Sequence, residues 1–191
     1  LVVRILIADS TPSEFQAMLA PYISQSFSEN YADALRSAAK GVIDRLEVFV
    51  QSVGDCVGLP PGAALSDFQG IVWTGSPLNA YHAGPVVAHQ IAFARTAFES
   101  GVPGFGSCWG MQVMTAALGG GVRLHEVGAE FGIARSITLN QAGVRHPMYA
   151  GKPAVFDALC SHQDEVFAVP PSGVVLAGND HSVVQAVCYE N

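Results

Sequence analysis

Val102-Pro103-Gly104-Phe105-Gly106-Ser107-Cys108-Trp109-Gly110-Met111-Gln112 is the stretch from which the fold is read. Its first part, Val102 to Gly106, reads as a short strand. Its last part opens a helix that runs from Met111 to Leu118 until Gly119-Gly120-Gly121 stops it, since glycine readily adopts the left-handed backbone that ends helices. Cys108 sits on the turn between strand and helix, flanked by Gly106 and Gly110. The same unit stands just upstream. Gly70-Ile71-Val72-Trp73-Thr74 is a buried-strand pattern, Gly75-Ser76-Pro77 breaks it, and Val86 to Glu99 carries helical apolar spacing at Val87, Ile91, Ala94 and Phe98. Alternating strand and helix predicts a mostly parallel sheet.

Working toward the N-terminus, Val2 to Asp9 is a nearly continuous apolar run, the mark of a strand buried on both faces. Helices are expected at Ser13 to Leu19 and Tyr31 to Lys40, a strand at Leu46 to Val50, and a loop at Pro60-Pro61-Gly62. Beyond the glycine stop the character shifts toward β. Gly132 to Thr138, Ala154 to Ala158, Val174 to Ala177 and Val183 to Val187 are strand candidates, and Arg145-His146-Pro147-Met148 reads as a loop. The expectation is one α/β domain over residues 1–191 with a mostly parallel central sheet and helices on both faces. In open α/β sheets ligands bind beyond the carboxyl ends of the strands, where Gly75-Ser76-Pro77 and Cys108 both fall.

The chain has 191 residues, of which 50% are hydrophobic and 13% charged, enough to bury one sizeable core. A formal charge of -7 with no Lys/Arg run argues against a nucleic-acid or membrane partner. No apolar stretch reaches the roughly 18 to 20 residues of a membrane span, so a soluble, cytoplasmic protein is expected. Cys56, Cys108, Cys160 and Cys188 are scattered without a CxxC pair, and no HExxH-like spacing occurs, so neither a metal nor an organic cofactor is expected.

Gly106-Ser107-Cys108-Trp109-Gly110 has the G-x-nucleophile-x-G form of an elbow, in which glycines tolerate a strained turn and avoid clashes a Cβ would cause. At the first turn of a helix a thiolate meets the helix's positive end. The N–H of Trp109 is placed to donate to a developing oxyanion. Taken alone, this turn is equally the site of a buried core cysteine.

The longer run Gly106 to Gln112 resembles the G-x-C-x-G-x-Q signature of class I glutamine amidotransferases, and Val72-Trp73-Thr74-Gly75-Ser76-Pro77 resembles their strand and G-[GS]-P turn. Glu130-Phe131-Gly132-Ile133-Ala134-Arg135, Ser161-His162-Gln163-Asp164-Glu165-Val166 and Asn179 to Ala186 continue the likeness, and look like stand-alone members similar to the glutaminase half of GMP synthetase. The resemblance implies a three-layer, flavodoxin-like fold. It implies that Cys108 attacks the side-chain amide of glutamine, and that backbone N–H groups of Trp109 and Ser76 hold the oxyanion, with Gly75 letting that turn approach. It also implies that Gln112, Ser161 and His162 line the substrate pocket.

A triad also needs a His and an orienting carboxylate. The family takes both from a C-terminal His-Pro-Glu, which the resemblance puts beyond Asn191, so the domain is expected to lack its C-terminal strand and His-x-Glu segment. Arg145-His146-Pro147-Met148 imitates the motif but has Met148 in place of the carboxylate. His162 and Asp164 form an H-x-D pair that, read literally, supplies a base and its orienter. The functions left open are a glutaminase, acting alone or feeding ammonia to a separate synthetase, a hydrolase of γ-glutamyl peptides or conjugates, and a catalytically silent binding module.

Overall fold

The computed structural model describes residues 2–190. The chain forms two compact units, the first ending at Val113 and the second beginning at Met114. The first unit is built on a parallel sheet of β1 (Val2–Ala8), β2 (Arg45–Gln51), β3 (Gly70–Trp73) and β4 (Gly104–Gly106), in the order β2-β1-β3-β4. The apolar runs become strands for the expected reason: every residue of β3 is buried, as are Leu6, Ile7 and Ala8 at the end of β1. Register aligns the carboxyl ends, pairing Ala8 with Trp73 and Trp73 with Gly106. The segments that follow these three residues therefore leave the sheet along one edge.

Helix α1 (Ser13–Leu19) matches its expected bounds, whereas α2 spans Phe27–Ala39, one turn earlier than Tyr31. The earlier start follows from a capping box. Ser26 accepts from the Glu29 N–H and the Glu29 carboxylate accepts from the Ser26 N–H, satisfying two end groups that would otherwise lack partners. This helix packs Ala32, Tyr31 and Leu35 onto Ile7 and Val72 of the sheet. Helix α3 (Pro85–Glu99) begins with proline at its first turn and buries Val87, Gln90, Ala94 and Ala97. The buried stripe thus contains a glutamine where the apolar count pointed to Ile91. Helix α4 (Trp109–Ala117) follows Cys108 directly, two residues before its expected start at Met111.

The second unit is antiparallel. A four-stranded sheet joins β6 (Glu130–Leu139), β7 (Val155–His162), β9 (Gly173–Gly178) and β10 (Ala186–Tyr189) in the order β10-β9-β6-β7, and a two-stranded sheet joins β5 (Gly121–Leu124) to β8 (Asp164–Ala168). Parallel pairing is therefore confined to the first unit. Gly121, expected as part of a helix stop, opens β5 instead, and an added Cβ there would lie 2.5 Å from the Phe167 ring. The expected strand at Val183 to Val187 begins three residues later, at Ala186, because Asn179 and Ser182 close a tight turn first. The expected loop at Arg145-His146-Pro147-Met148 is also corrected. Asn140 caps the short helix α5 (Gln141–Arg145), and Pro147–Tyr149 is a 3-10 turn.

Candidate active site

The three segments leaving the parallel sheet are Asp9-Ser10-Thr11 after β1, Thr74-Gly75-Ser76 after β3 and Ser107-Cys108 after β4. Cys108 has φ +51°, the left-handed region that costs a residue with a side chain about 1–2 kcal/mol. It is exposed, and its carbonyl accepts the Gln112 N–H at 3.2 Å, so it stands as the first residue before α4. The flanking glycines serve sterics rather than dihedral freedom. A Cβ on Gly106 would sit 2.8 Å from the Gly110 Cα, and one on Gly110 would sit 2.8 Å from the Trp73 Cβ. Only bare backbones let β4, the turn and α4 approach this closely.

Trp109 is fully buried, and Gln112, one turn along, is 4% exposed. Among the described residues no acceptor takes the backbone N–H of Trp109 or of Ser76, and the Gln112 carboxamide makes no hydrogen bond. Two unengaged N–H groups at strand ends are the kind of donors a developing oxyanion needs. At Gly75 an added Cβ would meet nothing within 4 Å, so no neighbouring protein group demands glycine there.

Sequence reasoning did not single out the side chains that fix these turns. The Ser10 carbonyl accepts from Ser76 Oγ at 3.0 Å and from Gln90 Nε2 at 3.1 Å, while Gln90 Oε1 accepts from Trp109 Nε1 at 2.8 Å. Ser10 N–H donates to Thr74 Oγ1 at 2.9 Å, and Thr11 Oγ1 donates to the Gly75 carbonyl at 3.1 Å. On the other side, Tyr31 of α2 shares a hydrogen bond with Ser107 Oγ. Burial pushes the Tyr31 phenol up, bonds to Ser107 pull it back, and negative charge at Cys108 pushes it up further, for a net rise. Gln90 gave no readable signal, because the apolar count placed Ile91 and not position 90 in the buried stripe of α3.

Ser161 and His162 belong to the second unit, at the end of β7. His162 Nδ1 meets the Asp164 carbonyl at 3.0 Å and Nε2 meets Glu130 Oε2 at 3.0 Å. Both ring nitrogens are engaged, so the literal H-x-D reading finds the Asp164 backbone at Nδ1. Glu130, which the sequence placed only within a family-like segment, is a hub. It also accepts from Asn179 Nδ2 at 2.7 Å and from Gln185 Nε2 at 2.6 Å. Burial raises its carboxyl, but the hydrogen bonds from Asn179, Gln185 and His162 and the charge on His162 outweigh this, and the net shift is downward. His125 and His181 stack nearby with ring centroids 4.1 Å apart.

Among the described residues no group of three His, Cys, Asp or Glu side chains is arranged to hold a metal, and no helix is long and apolar enough to cross a membrane. A cavity of about 420 Å³ lies in the first unit against Asp9, Gln16, Ile23 and Phe27, and none of the residues expected at the site lines it.

The class-I glutamine amidotransferase family model matches residues 23–191. The chain is 35% identical over 188 residues to a gamma-glutamyl-L-1-hydroxyisopropylamide hydrolase of a Pseudomonas species, covering 96% of this chain and 61% of that protein. It is 33% identical over 123 residues to the glutamine-hydrolyzing GMP synthase of Thermomicrobium roseum, covering 64% of this chain and 21% of the synthase. The chain thus spans under two thirds of the length of either relative. In fold it is similar to the crystal structure of a glutamine amidotransferase of Thermotoga maritima, with a TM-score of 0.74 at 16% identity over 98% of this chain and 71% of that one. A glutamine amidotransferase of Methylobacillus flagellatus gives a TM-score of 0.68 at 21% identity over 98% of this chain and 65% of that one.

Proposed function

The chain belongs to the class-I glutamine amidotransferase family, and from that premise we propose that it hydrolyses the side-chain amide of glutamine or of a γ-glutamyl amide, with Cys108 as nucleophile. The observation that carries the reading is the left-handed backbone of Cys108 at the head of α4. A cysteine is held in that conformation where the turn aims its side chain outward, and strain of this kind clusters at functional sites.

In this reading the Cys108 thiolate attacks the amide carbon and the carbonyl electrons move to oxygen. The N–H groups of Ser76 and Trp109 hold that oxyanion, Gln112 contacts the substrate from the first turn of α4, and Ser161 and His162 are substrate-binding residues of the second unit. Collapse of the intermediate breaks the C–N bond, and the amine takes up a proton and leaves. Water then cleaves the thioester to give glutamate and restore the thiol. The reading requires a proton carrier, a His oriented by a carboxylate.

The substrate class stays at γ-glutamyl amides because relatives of both kinds match. The likeness to the Pseudomonas hydrolase covers nearly the whole chain and favours an amide larger than glutamine, whereas the GMP synthase likeness favours glutamine itself with ammonia passed to a separate synthetase. The test measures ammonia from glutamine and free amine from γ-glutamyl alkylamides, using the full-length protein and its Cys108→Ala variant. Turnover that disappears in the variant is expected, and the better substrate chooses between the two readings. An intact protein that releases neither product and forms no adduct at Cys108 with a glutamine-mimicking electrophile overturns both in favour of a silent binding module.

A further inference from the structure

We propose that Tyr31 and Gln90 are positioning residues that clamp the Cys108 turn from its two sides, Tyr31 through Ser107 and Gln90 through Trp109. The proposal rests on the reading of Cys108 as nucleophile. A left-handed cysteine persists only where its surroundings over-determine the backbone. The residue before it and the residue after it are each tied by a side-chain hydrogen bond to a different helix, and those ties reach across 76 and 19 residues of chain.

Gln90 is 2% exposed within the apolar stripe of α3. An apolar side chain there would avoid the cost of burying a carboxamide. What the glutamine adds is a two-ended link: its oxygen takes the Trp109 indole N–H, and its nitrogen donates to the Ser10 carbonyl, which also accepts Ser76 Oγ. Ser76 and Trp109 are the residues whose N–H groups are read as oxyanion donors. Gln90 therefore sets the spacing of the two donors, which an oxyanion hole must hold before the charge develops. Tyr31 packs its ring into the contact between α2 and the sheet and directs its hydroxyl to Ser107. It fixes the upstream side of the turn through Ser107.

Amide turnover and thermal unfolding are to be compared in the full-length protein and four variants. Tyr31→Phe removes one oxygen atom and is expected to lower kcat about tenfold, with KM within about twofold and the melting temperature nearly unchanged. Gln90→Leu is expected to lower kcat about 100-fold, the scale of a misplaced oxyanion donor, and to destabilise the fold by stranding the buried indole N–H. Adding Trp109→Phe removes that stranded group, so the double variant is expected to regain stability but not kcat. A purely structural role would restore both. Tyr31→Phe and Gln90→Leu/Trp109→Phe with kcat within about twofold of the parent, alongside an inactive Cys108→Ala, would overturn the clamp and leave the nucleophile in place. Full turnover in Cys108→Ala would overturn the nucleophile and the clamp together.

Discussion

At Cys108 the usual order of substitution energies is expected to invert. Alanine normally stabilises a helical region relative to glycine by about 1 kcal/mol, but a left-handed residue immediately before a helix favours glycine on dihedral grounds and as a cap. Cys108→Gly is therefore expected to be more stable than Cys108→Ala by about 1 kcal/mol in urea denaturation. The opposite order would remove the strain argument. Two residues on, Gly110 lies inside α4, where an exposed glycine would gain from replacement by alanine. Its Cβ would stand 2.8 Å from the Trp73 Cβ, so Gly110→Ala is expected to destabilise by roughly 1–3 kcal/mol. The same denaturation experiment decides the sign.

At the scale of elements, Glu130 opens β6 and gathers donors from β7 and from the turn before β10, so its charge state should govern the acid stability of the second unit. Its carboxyl titrates below its ordinary value of 4.5 when folded. A carboxyl depressed by folding contributes stability that is fully present above its unfolded pKa and is lost as pH falls through the folded one. Glu130→Gln is accordingly expected to be less stable than the parent by about 2 kcal/mol at neutral pH. The gap should narrow below pH 4.5, as read by thermal melts across the acid range; a gap independent of pH would reject the assignment. The elements of the first unit were legible because strands buried on both faces are continuous apolar runs, as Ile71-Val72-Trp73 shows. The capping box at Ser26 and Glu29 was equally present in the letters, but a polar first turn hid it behind the apolar count. Strands β5 and β8 escaped because they are short and their cross-strand pair, Arg123 with Glu165, is polar. The Cys108 turn could be read since glycine spacing is local. The Ser10–Gln90–Trp109 links could not, because they join residues up to 80 positions apart through polar side chains that carry no periodic signal.

Across the whole molecule the four thiols offer a comparison in which only their surroundings differ. No disulfide joins them. Burial pushes Cys160 above its ordinary value of 9.0 and the charge of Glu130 adds to it, while burial and then Glu190 do the same to Cys188. Cys56 and Cys108 are both exposed and both left-handed, with φ of +57° and +51°. The elements they adjoin are different. Cys56 closes a three-residue 3-10 turn, whereas Cys108 heads a nine-residue helix whose positive end favours a thiolate. Limiting iodoacetamide at neutral pH is therefore expected to label Cys108 first, Cys56 second, and Cys160 and Cys188 last, as followed by peptide mass spectrometry. Raising the pH above 9.0 should bring the last two forward, because their thiols deprotonate only there. Labelling led by Cys56 would mean that exposure alone governs reactivity, and would remove the helix end from the account of Cys108.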